Sequence, residues 1–202
     1  MTTQILTNQT DGAGKGILVV AATSRELAEA NGWHTLVCGV GPVDAAAATA
    51  AAIAAQAPLA VLHVGIAGAR RARALAPGSL VLGTEARYCD LDIPPQWAPN
   101  TVAASPALLS AVRDAMPGMV SLSIGTSARV GGTSGCDVEA MEGFGVLRAA
   151  QLAGVPAIEV RAISNEIEEN DRARWHFALA FEAITRATPV LVDAMQRALR
   201  NA

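Results

Sequence analysis

The stretch Ala157-Ile158-Glu159-Val160-Arg161-Ala162-Ile163-Ser164-Asn165-Glu166 begins as a mainly apolar run and ends on polar residues. Its first part, residues 157–163, has the length and the aliphatic content of a buried strand. A strand of this kind presents the residues that follow it at the edge of a sheet, where α/β proteins form their ligand crevice. Asn165 is therefore a candidate site residue, although an isolated asparagine in this place is equally typical of a turn.

The same pattern recurs along the chain of 202 residues, of which 51% are hydrophobic. Apolar runs at residues 16–22, 34–38, 59–65, 79–84 and 120–125 alternate with segments of helical period at residues 43–56, 106–116, 138–153 and 175–199. This alternation predicts an α/β fold with helices on both faces of a sheet. We expect a flexible leader over residues 1–15 and a single domain over residues 16–202.

Residues 92–105 contain Pro94, Pro95 and Pro99, so a regular helix or a central strand is not expected there. We interpret this segment as a loop, and one hypothesis is that it forms a lid.

The composition argues against several classes of partner. A net charge of -3 and a pI of about 5.6 do not fit the basic stripe of a nucleic-acid-binding protein. The apolar runs are too short or too interrupted to span a bilayer, and the N-terminal residues do not resemble a signal peptide. We therefore expect a cytoplasmic protein with no nucleic-acid or membrane partner.

Cysteine and glycine spacing excludes further kinds of site. Cys38, Cys89 and Cys136 form no CxxC pair and no metal-ligand spacing with the histidines, so we predict reduced thiols and no metal site. The sequence also contains no complete phosphate-binding glycine loop and no Gly-x-Ser-x-Gly nucleophile elbow.

Two more segments place carboxylates next to predicted element ends. Thr23 or Ser24 is expected to cap a helix whose first turn contains Glu26, where a carboxylate alone is more often structural than catalytic. Glu139 and Glu142 are three residues apart in a predicted helix and would share one face. A buried carboxylate can hold the vicinal hydroxyls of a ribose, but capping or surface roles fit equally well.

A fourth segment, His63-Val64-Gly65-Ile66-Ala67-Gly68-Ala69, is a predicted strand that ends in small residues. Small residues allow a ligand to approach the backbone closely. His63 lies inside this strand, where a core position is at least as plausible as a catalytic one.

Taken together, these four segments resemble the nucleoside phosphorylase and nucleosidase superfamily over about residues 16–200. The resemblance implies a three-layer α/β/α sandwich with a mixed, distorted central sheet, a purine nucleoside as ligand, no cofactor, and a homo-oligomer, either dimer or tetramer. By the same resemblance Met141 lies beside the sugar and Glu142 binds its hydroxyls. Glu26 matches the carboxylate that activates water in the methylthioadenosine and adenosylhomocysteine nucleosidases.

The resemblance also implies the other site residues. Contacts to the base are expected from Asn165 and from the segment Thr126, Ser127, Ala128 and Arg129. The expected site wall is Ile66, Ala67, Gly68 and Trp175, with Trp175 or Arg174 covering the site. Related phosphorylases hold phosphate with arginines and a serine, whereas this chain has Ile66 and no arginine in residues 39–43. Water is therefore the favoured nucleophile.

Asn165 departs from those nucleosidases, whose strand ends in aspartate. An amide offers two N–H donors, which suit N7 and O6 of a 6-oxopurine, whereas a protonated aspartate suits a 6-aminopurine. Residues 139–144, 164–166 and 170–175 resemble the futalosine hydrolase family, which implies hydrolytic release of hypoxanthine in the alternative menaquinone pathway.

Three alternatives to that expectation stay open. They are a methylthioadenosine/adenosylhomocysteine-type nucleosidase, a phosphate-dependent purine nucleoside phosphorylase, and a nucleoside-binding protein without turnover. The residues do not specify the group on the ribose 5′ carbon.

Overall fold

The structure is a computed structural model that describes residues 16–94, 96–131 and 135–201, so the expected leader lies outside the described residues. The strands are β1 (Ile17–Ala21), β2 (His34–Val37), β3 (Ala60–Ala69), β4 (Leu80–Tyr88), β5 (Thr101–Ala103), β6 (Val120–Thr126), β7 (Val138–Ala140) and β8 (Ala157–Glu166). The α-helices are α1 (Pro42–Gln56), α2 (Pro106–Ala115), α3 (Gly143–Leu152) and α4 (Phe177–Arg200). In the described part of the chain, no helix is both long and apolar enough to cross a membrane.

The strands form one mixed sheet in the order β2-β1-β3-β7-β6-β4-β5, and β8 pairs with both β3 and β4. β8 runs parallel to β3 and antiparallel to β4. The strands β3, β7, β6, β4 and β8 therefore pair in a closed circuit, and one part of the sheet curls into a ring. The register shifts between Ala67 and Gly68 and again between Gly83 and Glu85, and such bulges bend strands. The expected mixed, distorted sheet is confirmed.

β1 shows how the sheet is covered on both faces. Ile17, Val19 and Ala21 pack into a core with α2 and α4, while Leu18 and Val20 pack into a second core with α1 and α3. Because side chains of a strand alternate between faces, five consecutive buried residues fill two cores at once. A third core comes from the five strands of the ring.

The predicted helix over residues 138–153 is wrong in its first part. Residues 138–140 form β7, which pairs with β3 and β6, and α3 begins only at Gly143. Glu139 consequently lies in a strand and Glu142 precedes a helix, so the two do not share a helical face. Periodicity over so few residues cannot separate a short buried strand from the start of a helix.

Two other local expectations need correction. The segment 92–105 is not loop throughout, because Thr101–Ala103 forms an edge strand antiparallel to β4. None of its described residues lines the cavity presented below. The helix expected after β1 is a single 3₁₀ turn over Ser24–Glu26, after which the chain is extended again.

Candidate active site

A cavity of about 440 Å³ lies where the second half of β3, the ends of β1 and β8, and β7 meet the start of α4. Its volume is within the range of about 300–1,000 Å³ that is usual for small-molecule sites. The sequence-predicted residues that line it are Glu26, Ile66, Ala67, Gly68, Arg129, Met141, Glu142, Asn165 and Trp175. Segments far apart in the sequence therefore meet at one site.

Glu26 is held by the turn that follows β1. Its Oε2 accepts hydrogen bonds from the backbone N–H and the hydroxyl of Thr23, both at 2.8 Å. Its Oε1 accepts from the Ile66 N–H of β3 at 3.2 Å, and the residue is 4% exposed. The carboxylate thus stabilises the turn, as the structural interpretation requires, and also faces the cavity. The same side chain therefore stabilises the turn and is in reach of a ligand in the cavity.

Glu142 occupies the residue before α3 and is also 4% exposed. Its Oε1 accepts from the Gly41 N–H at 3.2 Å, and its Oε2 accepts from the Arg161 guanidinium at 3.3 Å. Each oxygen has lone pairs beyond these two contacts, so the carboxylate can still accept hydrogen bonds from a pair of hydroxyls in the cavity.

Arg161 is the central charge behind the cavity wall. Its side chain is 1% exposed, its Nε donates to Glu159 at 2.7 Å, and its Nη1 donates to the Ile66 carbonyl at 3.4 Å. Burial by itself would lower the pKa of this guanidinium, but the charges of Glu159, Glu142 and Glu26 raise it above the ordinary value. The residue stays charged and fixes the position of the Glu142 carboxylate in the cavity wall.

His63 is a core histidine. Its Nδ1 donates to the Val20 carbonyl at 3.0 Å, which leaves Nε2 as the acceptor for the Arg161 guanidinium. Burial, followed by the charge of Arg161, holds the pKa of His63 well below its ordinary value, so the ring is neutral. His63 does not line the cavity.

Two glycines make room for this buried network. A Cβ at Gly65 would overlap the Arg161 guanidinium and would lie 2.9 Å from Oε1 of Glu26. A Cβ at Gly143 would overlap the carboxylate oxygens of Glu159. The glycines next to Ile66 and Glu142 therefore allow charged side chains to pack closely. This role is separate from any close approach of a ligand to the backbone.

Asn165 is 9% exposed at the end of β8. Its Oδ1 accepts from the Ser164 hydroxyl at 2.7 Å, and its Nδ2 donates to the Glu166 carbonyl at 2.8 Å. The Glu166 carbonyl needs a donor and so fixes the orientation of the amide. One of the two amide hydrogens is thereby used inside the protein, and one N–H is left for a ligand instead of the two expected.

In the segment Thr126–Arg129, the first three residues hold neighbouring parts of the protein in place and the last one lines the cavity. The hydroxyl of Thr126 accepts from the Phe144 N–H at 2.8 Å, which anchors the first turn of α3. The Ser127 hydroxyl and the Ala128 N–H both donate to the carboxylate of Asp90. Only Arg129 of these four lines the cavity.

Sequence reasoning assigned no role to Arg161, although one signal was visible. A charged side chain in the middle of an otherwise apolar strand requires partners, because an unpaired buried charge is very costly. Reading Glu159 and Arg161 as a pair on the same face of the strand would have identified part of the network.

Comparisons with a family model and with a known protein agree on one family. The family model described as the phosphorylase superfamily matches residues 33–200. Futalosine hydrolase from Streptomyces coelicolor is 36% identical in an alignment of 198 positions, which covers 82% of this chain and 81% of that protein.

Solved structures show the same fold. An S-adenosylhomocysteine nucleosidase from Streptococcus pyogenes in complex with 5-methylthiotubericidin superposes with a TM-score of 0.77 at 21% identity, covering 93% of this chain and 99% of its own. The futalosine hydrolase of Helicobacter pylori strain 26695 gives a TM-score of 0.77 at 16% identity, covering 91% and 98%.

The carboxyl group of Glu159 generates a prediction about pH and stability. Burial raises its pKa above the ordinary value, and the charge of Arg161 only partly offsets this. The folded protein therefore keeps a proton that the unfolded chain loses, and this contribution to stability disappears as pH rises through the folded pKa. Urea unfolding of Glu159→Gln should show the variant gaining stability relative to the unaltered protein as pH rises from about 4.5.

The matched control is Glu182→Gln, at an exposed glutamate of α4 whose side chain pairs with Arg186. Its stability difference from the unaltered protein should stay nearly constant over the same pH range. If the stability difference between Glu159→Gln and the unaltered protein is equally constant with pH, the pKa of Glu159 is not raised.

Proposed function

The chain belongs to the phosphorylase superfamily, and from that premise we propose that it hydrolyses the N-glycosidic bond of futalosine. The products are hypoxanthine and dehypoxanthine futalosine, in the alternative menaquinone pathway. The observation that carries the proposal is the meeting of Glu26, Glu142 and Asn165 at one cavity. The 36% identity to a futalosine hydrolase supports the choice of substrate.

In the proposed reaction, the C1′–N9 bond breaks with its electron pair going to the purine, and the sugar develops oxocarbenium character. Glu142 holds the 2′ and 3′ hydroxyls, with Met141 beside the ring. Glu26 orients a water molecule and takes its proton as the oxygen bonds to C1′. The departing base takes up a proton from solvent and Glu26 returns its proton to solvent, so that water has been added across the bond.

Asn165 is proposed to contact the leaving base. Its one available N–H lies above Gly68, where a Cβ would come within 3.1 Å of Nδ2. This donor suits the N7 and O6 edge of hypoxanthine and stabilises negative charge that develops on the purine. The side chains of Arg129 and Trp175 form walls around the base and sugar in this proposal.

Hydrolysis is favoured over phosphorolysis by the charges around the expected position of C1′. The cavity there presents two buried carboxylates, Glu26 and Glu142. Arg161 lies behind the wall and is already bonded to Glu159 and Glu142. A phosphate dianion would be repelled there, whereas neutral water would not.

We also propose a cytoplasmic homo-oligomer, either a dimer or a tetramer. Val43 is 75% exposed and Trp97 is 74% exposed, so both apolar side chains are available for contact with a second copy of the chain.

A base-release assay tests the proposed function. Purified protein should release hypoxanthine from futalosine at the same rate with and without phosphate, and it should act less efficiently on aminofutalosine, inosine and methylthioadenosine. A strict phosphate requirement would identify a phosphorylase instead. Saturable binding of futalosine without base release would identify a binding protein.

Glu26→Gln tests the proposed general base. We expect kcat to fall by about 10²–10⁴-fold while substrate affinity changes little, because a general base typically contributes that much. Glu29→Gln, at an exposed glutamate just after the same turn, is the control and should keep normal turnover. If Glu26→Gln turns over futalosine as fast as the Glu29 variant, the role of Glu26 is wrong.

Asn165→Asp tests recognition of the base. The change replaces the N–H that faces the cavity by an oxygen, which repels O6 of hypoxanthine and accepts from a 6-amino group. The ratio of hypoxanthine to adenine release should shift toward adenine by at least about tenfold, since an unpaired buried polar group costs about 1–3 kcal/mol. Asn170→Asp, at another asparagine of the cavity wall, should leave this ratio unchanged.

A further inference from the structure

Two cysteines that the proposed reaction does not use lie on either side of one strand of the sheet. Cys89 is the residue after β4, and its N–H donates to the Thr126 carbonyl at the end of β6 at 2.9 Å. Cys136 precedes β7 by two residues. Because β6 lies between β4 and β7, the two cysteines extend from strands on opposite sides of it. Neither lines the cavity.

The two thiols meet over β6. The side chains of Cys89 and Cys136 hydrogen-bond to each other, and Cys136 also hydrogen-bonds to Ser123 of this strand. The Cys89 thiol can donate instead to the Arg87 carbonyl at 3.3 Å. Both cysteines are reduced. Two sulfur atoms in hydrogen-bond contact need only a small movement to become bonded to each other.

The backbone on the Cys136 side is held by Arg70, the residue after β3. The Arg70 Nε donates to the Cys136 carbonyl at 3.0 Å, and the Arg70 N–H donates to the Asp137 carbonyl at 2.8 Å. The contact between the two thiols is therefore part of the folded sheet.

The two thiols differ in acidity. The hydrogen bond with Cys89 lowers the pKa of the Cys136 thiol to about 7, although burial opposes this shift. Ser123 and the charge of Arg87 also lower this pKa, and the charge of Glu85 raises it. The same hydrogen bond, followed by burial, raises the pKa of Cys89. Since the thiolate is the reactive form of cysteine, Cys136 is the nucleophile of the pair.

Burial limits which oxidants can react. Cys136 is 7% exposed beside the half-buried Cys89, so a small oxidant has better access than a bulky disulfide. Cys38 is 3% exposed, and burial raises the pKa of its thiol to about 12. Cys38 is therefore the unreactive thiol against which the pair can be compared.

We propose that Cys89 and Cys136 form a redox modification site, which a peroxide converts into a reversible disulfide. The Cys136 thiolate attacks one oxygen of hydrogen peroxide, the O–O bond breaks, and the leaving hydroxide takes up a proton to give water. The sulfur of Cys89 then attacks the sulfenic acid, and its proton leaves with the hydroxyl group as a second water. The two thiols lose two electrons and two protons, and this inference does not depend on the identity of the substrate.

Both cysteines are close in sequence to the cavity wall. Cys89 is followed by Asp90, whose carboxylate accepts from the Ser127 hydroxyl at 3.1 Å. The Ser127 hydroxyl oxygen accepts from the N–H of Arg129, which lines the cavity. The other cysteine is followed by β7, whose Glu139 also lines the cavity. A disulfide brings its sulfurs to about 2.05 Å, so we expect oxidation to shift both segments and weaken substrate binding.

Peroxide treatment of the reduced full-length protein tests the site. After exposure to one equivalent of hydrogen peroxide, free thiols are blocked with N-ethylmaleimide in denaturant, and tryptic peptides are analysed by mass spectrometry. We expect a peptide linked through Cys89 and Cys136, absent after dithiothreitol, while Cys38 is recovered as the blocked thiol. Recovery of all three cysteines as blocked thiols, or oxidation of Cys38 to the same extent as the pair, would overturn the site.

Two serine variants test which sulfur attacks. In Cys89→Ser the resolving thiol is absent, and the serine hydroxyl can still donate to Cys136, so dimedone should label Cys136 as a sulfenic acid after peroxide treatment. In Cys136→Ser the remaining Cys89 should stay unlabelled. The reverse labelling pattern would show that Cys136 is not the nucleophile.

Kinetics of the two redox forms test the link to the cavity. The oxidised protein should have a KM for futalosine about tenfold higher than the reduced protein, below the 10²-fold that a misplacement of about 1 Å can cost at reacting atoms. Dithiothreitol should restore the lower KM, and peroxide should leave the KM of Cys136→Ser unchanged. Equal KM values for the two forms would reject the link.

Failure of the proposed function gives a different result. If the reduced protein does not release hypoxanthine from futalosine, the nucleosidase function is wrong, and the linked peptide still decides whether the modification site exists. The Kd of futalosine for the two redox forms, measured by calorimetry, then replaces KM. A weaker Kd in the oxidised form supports the link, and equal values reject it.

Discussion

The buried Arg161 guanidinium connects the parts of the molecule that make up the cavity. It lies in β8, bonds to Glu159 of the same strand, reaches Glu142 before α3, and contacts His63 and the Ile66 carbonyl of β3. Removing a charge of this kind from water costs several kcal/mol, which only good pairing offsets. The charged partners of Arg161 must therefore be in place for the strands to pack as they do.

This constraint determines the residues around the network. The neutral tautomer of His63 follows from its bond to Val20, and it lets the ring accept from Arg161 without adding a second positive charge. Gly65 and Gly143 lack a Cβ because charged groups occupy that space. Gly65, which the sequence suggests as a place for close approach by a ligand, thus also makes room for the Arg161 guanidinium. Fold stability and the placement of Glu142 thus depend on the same contacts.

Local pattern was sufficient for much of the fold and part of the site. Alternating apolar runs predict most strands, and Glu26 and Asn165 were expected at the ends of two of them. The roles of Glu26, Glu142 and Asn165 came from the family resemblance and not from the local pattern. Pattern could not predict β7, because three residues carry too little periodicity and their pairing with β3 and β6 is nonlocal. It also could not show that Glu166 uses one hydrogen of the Asn165 amide, since that contact depends on backbone geometry at the strand end.

The charge balance of the cavity connects the network to the type of reaction. Glu26, Glu142 and Glu159 have three carboxyl groups near the one guanidinium of Arg161, His63 is neutral, and the buried Glu139 also lines the cavity. Even with a proton on Glu159, the formal charge of Glu26, Glu142, Glu159 and Arg161 together is -1, from two carboxylates and one guanidinium. A site with excess negative charge stabilises a sugar that becomes positive in the transition state, and it repels an anionic nucleophile.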